Sequence, residues 1–187
     1  SFTWDAHKLM NVPLTAGIIL TKETGLLRDC VSGGGGDYLF HKDENAPYNM
    51  GELSIQSARR ADSLKLWSSW KSEGSLGFSK KIDKLHNEKS YFVQLLLENS
   101  DFSIIAPTPF LNILFQFKPN SQMNEDDLRV LNIEICKRLA ASGDSFIDYA
   151  SFKGRTGIRI IFANDCISQS YMLKLISDCA KIGQKIH

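Results

Sequence analysis

Residues 1–22 read SFTWDAHKLMNVPLTAGIILTK, and the reading of this stretch decides the fold. A short β-prone run ends at His7-Lys8, where Leu9-Met10 begins. Residues 12–22 are largely apolar with β-branched members and read as a buried strand soon after the lysine. The lysine carries the chemical interest. Its compact amine condenses with aldehydes, and its pKa falls readily when it is desolvated or set near other cations. A His-Lys pair alone is a weak signal, because most such pairs are solvated surface.

The bulk numbers bound the rest. A chain of 187 residues is long enough for one well-buried core, or for a domain and part of another. With 43% hydrophobic and 23% charged residues and a formal net charge of +1, it reads as an ordinary soluble globular protein. The near balance of charge gives no reason to expect a nucleic-acid partner, which would want a basic stripe. The longest apolar stretch, residues 102–117, is broken by Pro107 and Pro109 and is too short to span a bilayer, so no membrane partner is expected. No basic start followed by an apolar segment and a small-residue cleavage site is visible. Cys30, Cys136, Cys166 and Cys179 have neither close pairing nor metal-type spacing, so no metal site is expected. Scattered thiols of this kind fit a reducing cytoplasm better than a disulfide framework, and a cytoplasmic location is the expectation.

Beyond the opening stretch, residues 24–30 look like a short helix or turn. Ser32 and Gly33 to Gly36 form a flexible stretch leading into the aromatic run at Asp37-Tyr38-Leu39-Phe40. Four glycines can cradle a phosphate where they enter a helix, but these enter a strand-like run, which favours a mobile connection. Residues 41–50 hold Pro47 and lack periodicity, so an exposed loop is expected. Residues 52–70 read as a helix with Leu53, Ala61, Leu64 and Trp67 available for packing. Phe78, Ile82, Leu85, Phe92 and Leu96 recur at helical spacing and predict a second, longer helix. Strands are expected at 102–105 and 111–117, around the Pro107-Thr108-Pro109 turn. Asn124 caps a predicted helix that closes before Gly143. Two more strands, 145–149 and 158–162, are joined by a turn through Lys153-Gly154. Ser168 opens a final helix whose apolar face is Met172, Leu175, Ile176, Cys179 and Ile182. From about Trp67 onward this order predicts an α+β module with its own core. Arg159, set among Ile158, Ile160 and Ile161, is costly unless it has a partner or emerges at a surface; pattern alone favours an outward-facing edge residue.

Three segments carry a resemblance: SFTWDAHKLMNVPLTAGIILTK, then GDYLFHKDENAPYNMGELSIQSARRADSLKLWSSWKSEGSLGF, then RTGIRIIFAN. In order and rough spacing they closely resemble successive segments of the group II pyridoxal-phosphate-dependent amino-acid decarboxylases. That family includes the glutamate, cysteine sulfinate, aromatic amino acid and diaminobutyrate enzymes. The resemblance runs over essentially the whole chain. It implies an α/β fold of the fold-type I pyridoxal-phosphate transferase kind. Residues 1–66 would be the C-terminal part of the large cofactor-binding domain, and residues 67–187 the small α+β domain. Ser1 would then lie deep inside the large domain, with much of the usual protein upstream.

The same resemblance implies pyridoxal phosphate as cofactor and Lys8 as the Schiff-base lysine. His7 would sit against the cofactor, and Thr3 would be a neutral hydrogen-bond donor nearby. Where the animal glutamate and cysteine sulfinate enzymes typically carry Asn and Pro, this chain has Asp5 and Ala6. An aspartate beside a phosphate faces like charge, which speaks against phosphate contact by Asp5. Tyr38 falls where the family carries the loop tyrosine that protonates the product carbon, a role a phenol can fill. Glycines 33–36 would supply that loop's hinge. Arg159, followed by an apolar run and Asn164, falls where the family arginine reaches a substrate carboxylate with its planar fork. The wording of the segments is nearer to the glutamate and cysteine sulfinate branch, which points to an acidic L-amino acid. Diaminobutyrate or another amino acid is the enzymatic alternative, and a non-catalytic, dimer-forming relative is the alternative from another class. The family works as a homodimer with its active site at the interface. Its aspartate for the pyridine nitrogen and its ring-stacking aromatic both lie upstream of the lysine motif. The 187 residues alone are therefore expected to be inactive.

Overall fold

A computed structural model of the chain describes residues 1–31, 44, 48–56, 59–119 and 122–186. It divides into two compact units, Ser1–Phe78 and Ser79–His187. Both this division and the domain boundary expected at 66/67 fall within one helical element.

The first unit opens with a hairpin. Strands β1 (Phe2–Asp5) and β2 (Gly17–Leu20) pair antiparallel, with Phe2 opposite Leu20 and Asp5 opposite Gly17. Alternation turns Trp4 and Ala6 inward, where Ala6, Val12 and Ala16 are buried and Trp4, Met10, Ile18 and Leu66 pack against them. Thr3 and Asp5 consequently occupy the outer face. The strand expected over residues 12–22 shortens to Gly17–Leu20. Pro13 cannot donate to a ladder, and the carbonyls of Leu14 and Thr15 are drawn off to the Lys65 ammonium at 3.2 and 3.1 Å. A short helix, α1 (Leu26–Val31), follows.

The helix expected over 52–70 is corrected. A single 3-10 turn, Met50–Leu53, is capped by Asn49, whose Oδ1 accepts from Gly51 N–H. The helix proper, α2, begins at Asp62 and runs to Leu97. Leu64 and Trp67, assigned above to packing, are both more than half exposed. The two helices expected on either side of residue 74 are divided there by Gly74 (φ 64°, ψ 178°), a non-helical conformation that glycine tolerates and side chains resist, so that α2 is two helical segments in sequence.

The second unit is a four-stranded antiparallel sheet in the order β3-β4-β6-β5: Phe102–Ile104, Asn112–Phe117, Arg155–Ile161 and Asp148–Phe152. Helices α3 (Glu125–Ser142) and α4 (Gln169–Gln184) complete it. The expected caps are present. Asn124 Oδ1 accepts from Asp127 N–H at 2.9 Å, Gly143 closes α3 in the left-handed region, and Ser168 opens α4. From α2, Leu85, Phe92 and Leu96 are buried, as their spacing predicts. Phe92 lies edge-on to Phe115 and tilted against Phe162, with ring centroids 5.8 Å apart in each case. Gly183 lets α4 approach β4, since a Cβ there would collide with the Phe117 ring.

Lys153-Gly154 makes the β5–β6 turn with both residues at positive φ, the geometry that suits a tight hairpin. Strand β5 begins at Asp148 rather than at residue 145. Ser145 is held elsewhere: its N–H donates to Leu139 O, and its hydroxyl bonds Tyr171 Oη at 2.8 Å.

Candidate active site

Lys8 stands on the connection between β1 and β2, and the backbone there is tightly tied. Ala6 N–H donates to Ala16 O (2.9 Å), Lys8 N–H to Asp5 O (3.1 Å) and Asn11 N–H to Lys8 O (3.1 Å). Asn11 takes φ 55°, a left-handed value that its short polar side chain accommodates. The hairpin therefore fixes the Lys8 backbone while its side chain remains 72% exposed.

His7 is half-buried. Its Nδ1 accepts the Ala16 N–H at 3.1 Å, so a neutral ring carries its proton on Nε2 and has that edge left to offer. The Lys8 ammonium lies 2.8 Å from Asp5 Oδ2. Hydrogen bonding from Lys8 holds the Asp5 carboxyl below its ordinary value, with a smaller contribution from the charge of Lys8. Thr3 is exposed on the same outer face as Asp5. Thr3, Asp5, His7 and Lys8 are thus carried by one hairpin.

The donor set suits an aldehyde cofactor: an accessible primary amine on a fixed backbone, an oriented imidazole and an exposed hydroxyl. The carboxylate of Asp5 does not suit a phosphate group, in keeping with the reservation drawn from the sequence. Near the hairpin, Asp62 and Lys65 satisfy one another at 2.7 Å. The hydrogen bond from Lys65 is the largest cause of the lowered Asp62 pKa.

Arg159 belongs to the second unit. It is exposed on β6 between buried Ile158 and Ile160. The pattern-based expectation of an edge residue is corrected, because β6 is an interior strand, flanked by β4 and β5. Leu114 and Asp148 lie directly opposite Arg159 in the register. Among the described residues the guanidinium forms no ion pair, and it borders a cleft of about 360 Å³ lined largely by apolar side chains, including Phe146, Ile161 and Tyr171. Tyr38 and glycines 33–36 lie outside the described residues. Cys136 and Cys179 are buried, and burial pushes both thiols up to about 12, which makes them unreactive packing groups. Among the described residues no group of three metal-ligating side chains converges, and no helix is long and apolar enough to cross a membrane.

Two features escaped the sequence reading. Asn132 is fully buried on α3 and bonds both backbone groups of Phe117. An amide among Leu128, Leu131 and Ile135 was the available signal. The Asp5–Lys8 pair was also legible in principle, as an acid three residues before a lysine where a strand turns.

Comparison with known proteins shows the family and the fold. The family model for the pyridoxal-dependent decarboxylase conserved domain matches residues 1–118, and the chain belongs to that family. Human cysteine sulfinic acid decarboxylase is 26% identical over 196 aligned residues, covering 100% of this chain and 40% of that protein. The crystal structure of mouse CSAD superposes with a TM-score of 0.85 at 24% identity, over 97% of this chain and 39% of that one. The crystal structure of Oryza sativa TDC with PLP and tryptamine gives 0.85 at 17% identity, over 98% and 38%. The α/β fold is that of these pyridoxal-phosphate-dependent decarboxylases, and the chain spans about two-fifths of the length of such relatives.

Proposed function

We propose that this chain forms the lysine-bearing end of the large domain and the small domain of a decarboxylase that converts an L-amino acid to an amine and carbon dioxide. An acidic amino acid, of the glutamate or cysteine sulfinate type, is the substrate class favoured by the relatives and by the wording of the segments. The observation that carries the proposal is Lys8: an accessible amine on a rigid hairpin, beside an oriented His7, in a chain of this family.

Pyridoxal phosphate, when bound, supplies the electron sink that lets a carboxylate leave as carbon dioxide. Lys8 would hold the cofactor covalently through its amine. His7 is kept in register by the Ala16 N–H, and its remaining ring edge would be available to the cofactor. Thr3 offers a neutral hydroxyl on the same face. Tyr38 would serve as the proton donor to the product carbon, a role a phenol can fill and recover from through solvent. Arg159 grips a substrate carboxylate through its fork of N–H donors. The roles of Tyr38, Thr3 and Arg159 rest on the family resemblance. A homodimer and a cytoplasmic location belong to the same reading.

The test is release of labelled carbon dioxide by the full-length protein from carboxyl-labelled glutamate, cysteine sulfinate and diaminobutyrate. Release from an acidic substrate, abolished by Lys8→Arg, is expected. Release from diaminobutyrate alone would replace the substrate class. No release from any amino acid, with cofactor bound, would replace the enzyme by a non-catalytic relative.

A further inference from the structure

We propose that Lys65 is a positioning residue for His7: it holds the Thr15–Ala16 peptide whose N–H orients the imidazole beside Lys8. The inference rests on the reading of His7 and Lys8 given above and adds a residue of α2 to that site.

The contacts lie within the first unit. An ammonium has three N–H donors. That of Lys65 meets three acceptors: Leu14 O at 3.2 Å, Thr15 O at 3.1 Å and Asp62 Oδ1 at 2.7 Å. Asp62 Oδ2 accepts the Thr15 hydroxyl at 3.3 Å, so the acid and the base, one turn apart on the helix, grip the same residue. The Lys65 and Asp62 side chains are 24% and 18% exposed, so water competes for them less than for Lys8 at 72%. Leu66, next to Lys65, packs against buried Ala6, Val12 and Ala16 and brings this turn of α2 against the hairpin.

The link to the site runs through one peptide group. In a planar trans peptide the C=O and N–H point opposite ways, so fixing one end fixes the other. Lys65 holds the Thr15 oxygen, and the Ala16 N–H of the same peptide donates to His7 Nδ1 at 3.1 Å. The Ala16 carbonyl is committed as well, accepting the Ala6 N–H at 2.9 Å. A cation at a carbonyl oxygen also polarises the peptide and strengthens its N–H as a donor. Both effects favour the His7 tautomer that accepts at Nδ1 and carries its proton on Nε2. Without Lys65 the two carbonyls turn to water, which satisfies them but fixes no direction. The hairpin return at residues 13–15 is exposed, and its loosening would carry the Ala16 N–H with it.

The experiment uses the full-length protein. The His7 ring nitrogens are read by nitrogen NMR with isotope-labelled histidine, the signal being identified by its loss in His7→Gln. Steady-state decarboxylation is measured in parallel. In the unmodified protein the neutral ring should carry its proton on Nε2. Lys65→Met keeps the length of the side chain and removes its donors, and the ring should become a mixture of tautomers. In the same variant kcat should fall about 10- to 100-fold, the scale of a misplaced catalytic group. KM should change by less than about 2-fold, since the loss falls on orientation rather than on binding. Lys65→Arg, whose fork can serve both carbonyls, should restore the ring signal and kcat. A neutral ring protonated on Nδ1 in the unmodified protein overturns the proposal without any variant. An unchanged ring signal in Lys65→Met overturns it too, even where that variant is less stable, because a merely structural lysine does not move the tautomer. A ring signal that shifts while kcat stays normal leaves the hold on the ring intact and defeats the reading of His7 at the cofactor. Absence of a borohydride adduct at Lys8 in the unmodified protein defeats the reading of Lys8, an outcome separable from the others by mapping alone.

Discussion

Replacing Asn132 by alanine tests how the second unit is held together. Asn132 Oδ1 accepts the Phe117 N–H at 2.7 Å, and its Nδ2 donates to Phe117 O at 3.1 Å and Leu128 O at 2.8 Å. Asn132 and Phe117 are both fully buried, so water cannot take over these bonds in the folded state. Each buried backbone group left without its partner costs about 1–3 kcal/mol. Phe117 would lose a partner at both its N–H and its C=O, and alanine's better helix propensity returns about 0.6 kcal/mol. The net expectation is a loss of about 1–5 kcal/mol, a large share of the 5–15 kcal/mol typical of a folded domain. Urea unfolding followed by circular dichroism reads the total, and hydrogen exchange at the Phe117 amide reads the bond itself. A loss below about 0.5 kcal/mol with an unchanged Phe117 exchange rate would refute the reasoning, because an exposed polar site behaves that way.

The remaining predictions concern the chemistry, in the full-length protein. Tyr38→Phe should keep cofactor and carbon dioxide release but accumulate aldehyde and the amino form of the cofactor; clean amine production would remove Tyr38 from the proton step. Arg159→Met should leave cofactor binding unchanged and raise KM about 30- to 1000-fold, from loss of a bidentate charge-assisted contact of about 2–4 kcal/mol. A near-normal KM would return Arg159 to the sheet surface as a structural residue. Light scattering should show a homodimer with a large apolar interface; a monomer that still decarboxylates would contradict the dimer.

Much of the fold could be read from residue pattern, and the misses have local causes. Asn124, Gly143 and Ser168 marked the ends of α3 and the start of α4 because capping depends on one or two adjacent residues. The positive φ values at Lys153 and Gly154 made their turn equally local. Residues 52–70 misled because apolar residues at helical spacing mark a helix without showing where its first turn forms. The helix waits for Asp62, and its Leu64 and Trp67 are exposed in the described chain. Strand β2 shortened because carbonyls of residues 14 and 15 serve a lysine 50 or more positions away, a contact no short window contains.

The site was legible in a different way. The His7-Lys8 pair carries little information alone, and the role proposed for Lys8 came from the succession of segments around it. What the hairpin adds is physical: a fixed backbone, an oriented His7 and the ion pair with Asp5. Arg159 showed the limit of pattern. Alternation placed it outward correctly, but strand order, which makes β6 an interior strand, depends on long-range pairing.

The most direct measurement of the central claim is the position of the cofactor bond. Full-length protein, yellow as purified, is reduced with borohydride, digested and analysed by mass spectrometry. The account predicts a pyridoxyl-phosphate adduct on Lys8, lost in Lys8→Arg. An adduct mapped reproducibly to another lysine, with Lys8 unmodified, would contradict it.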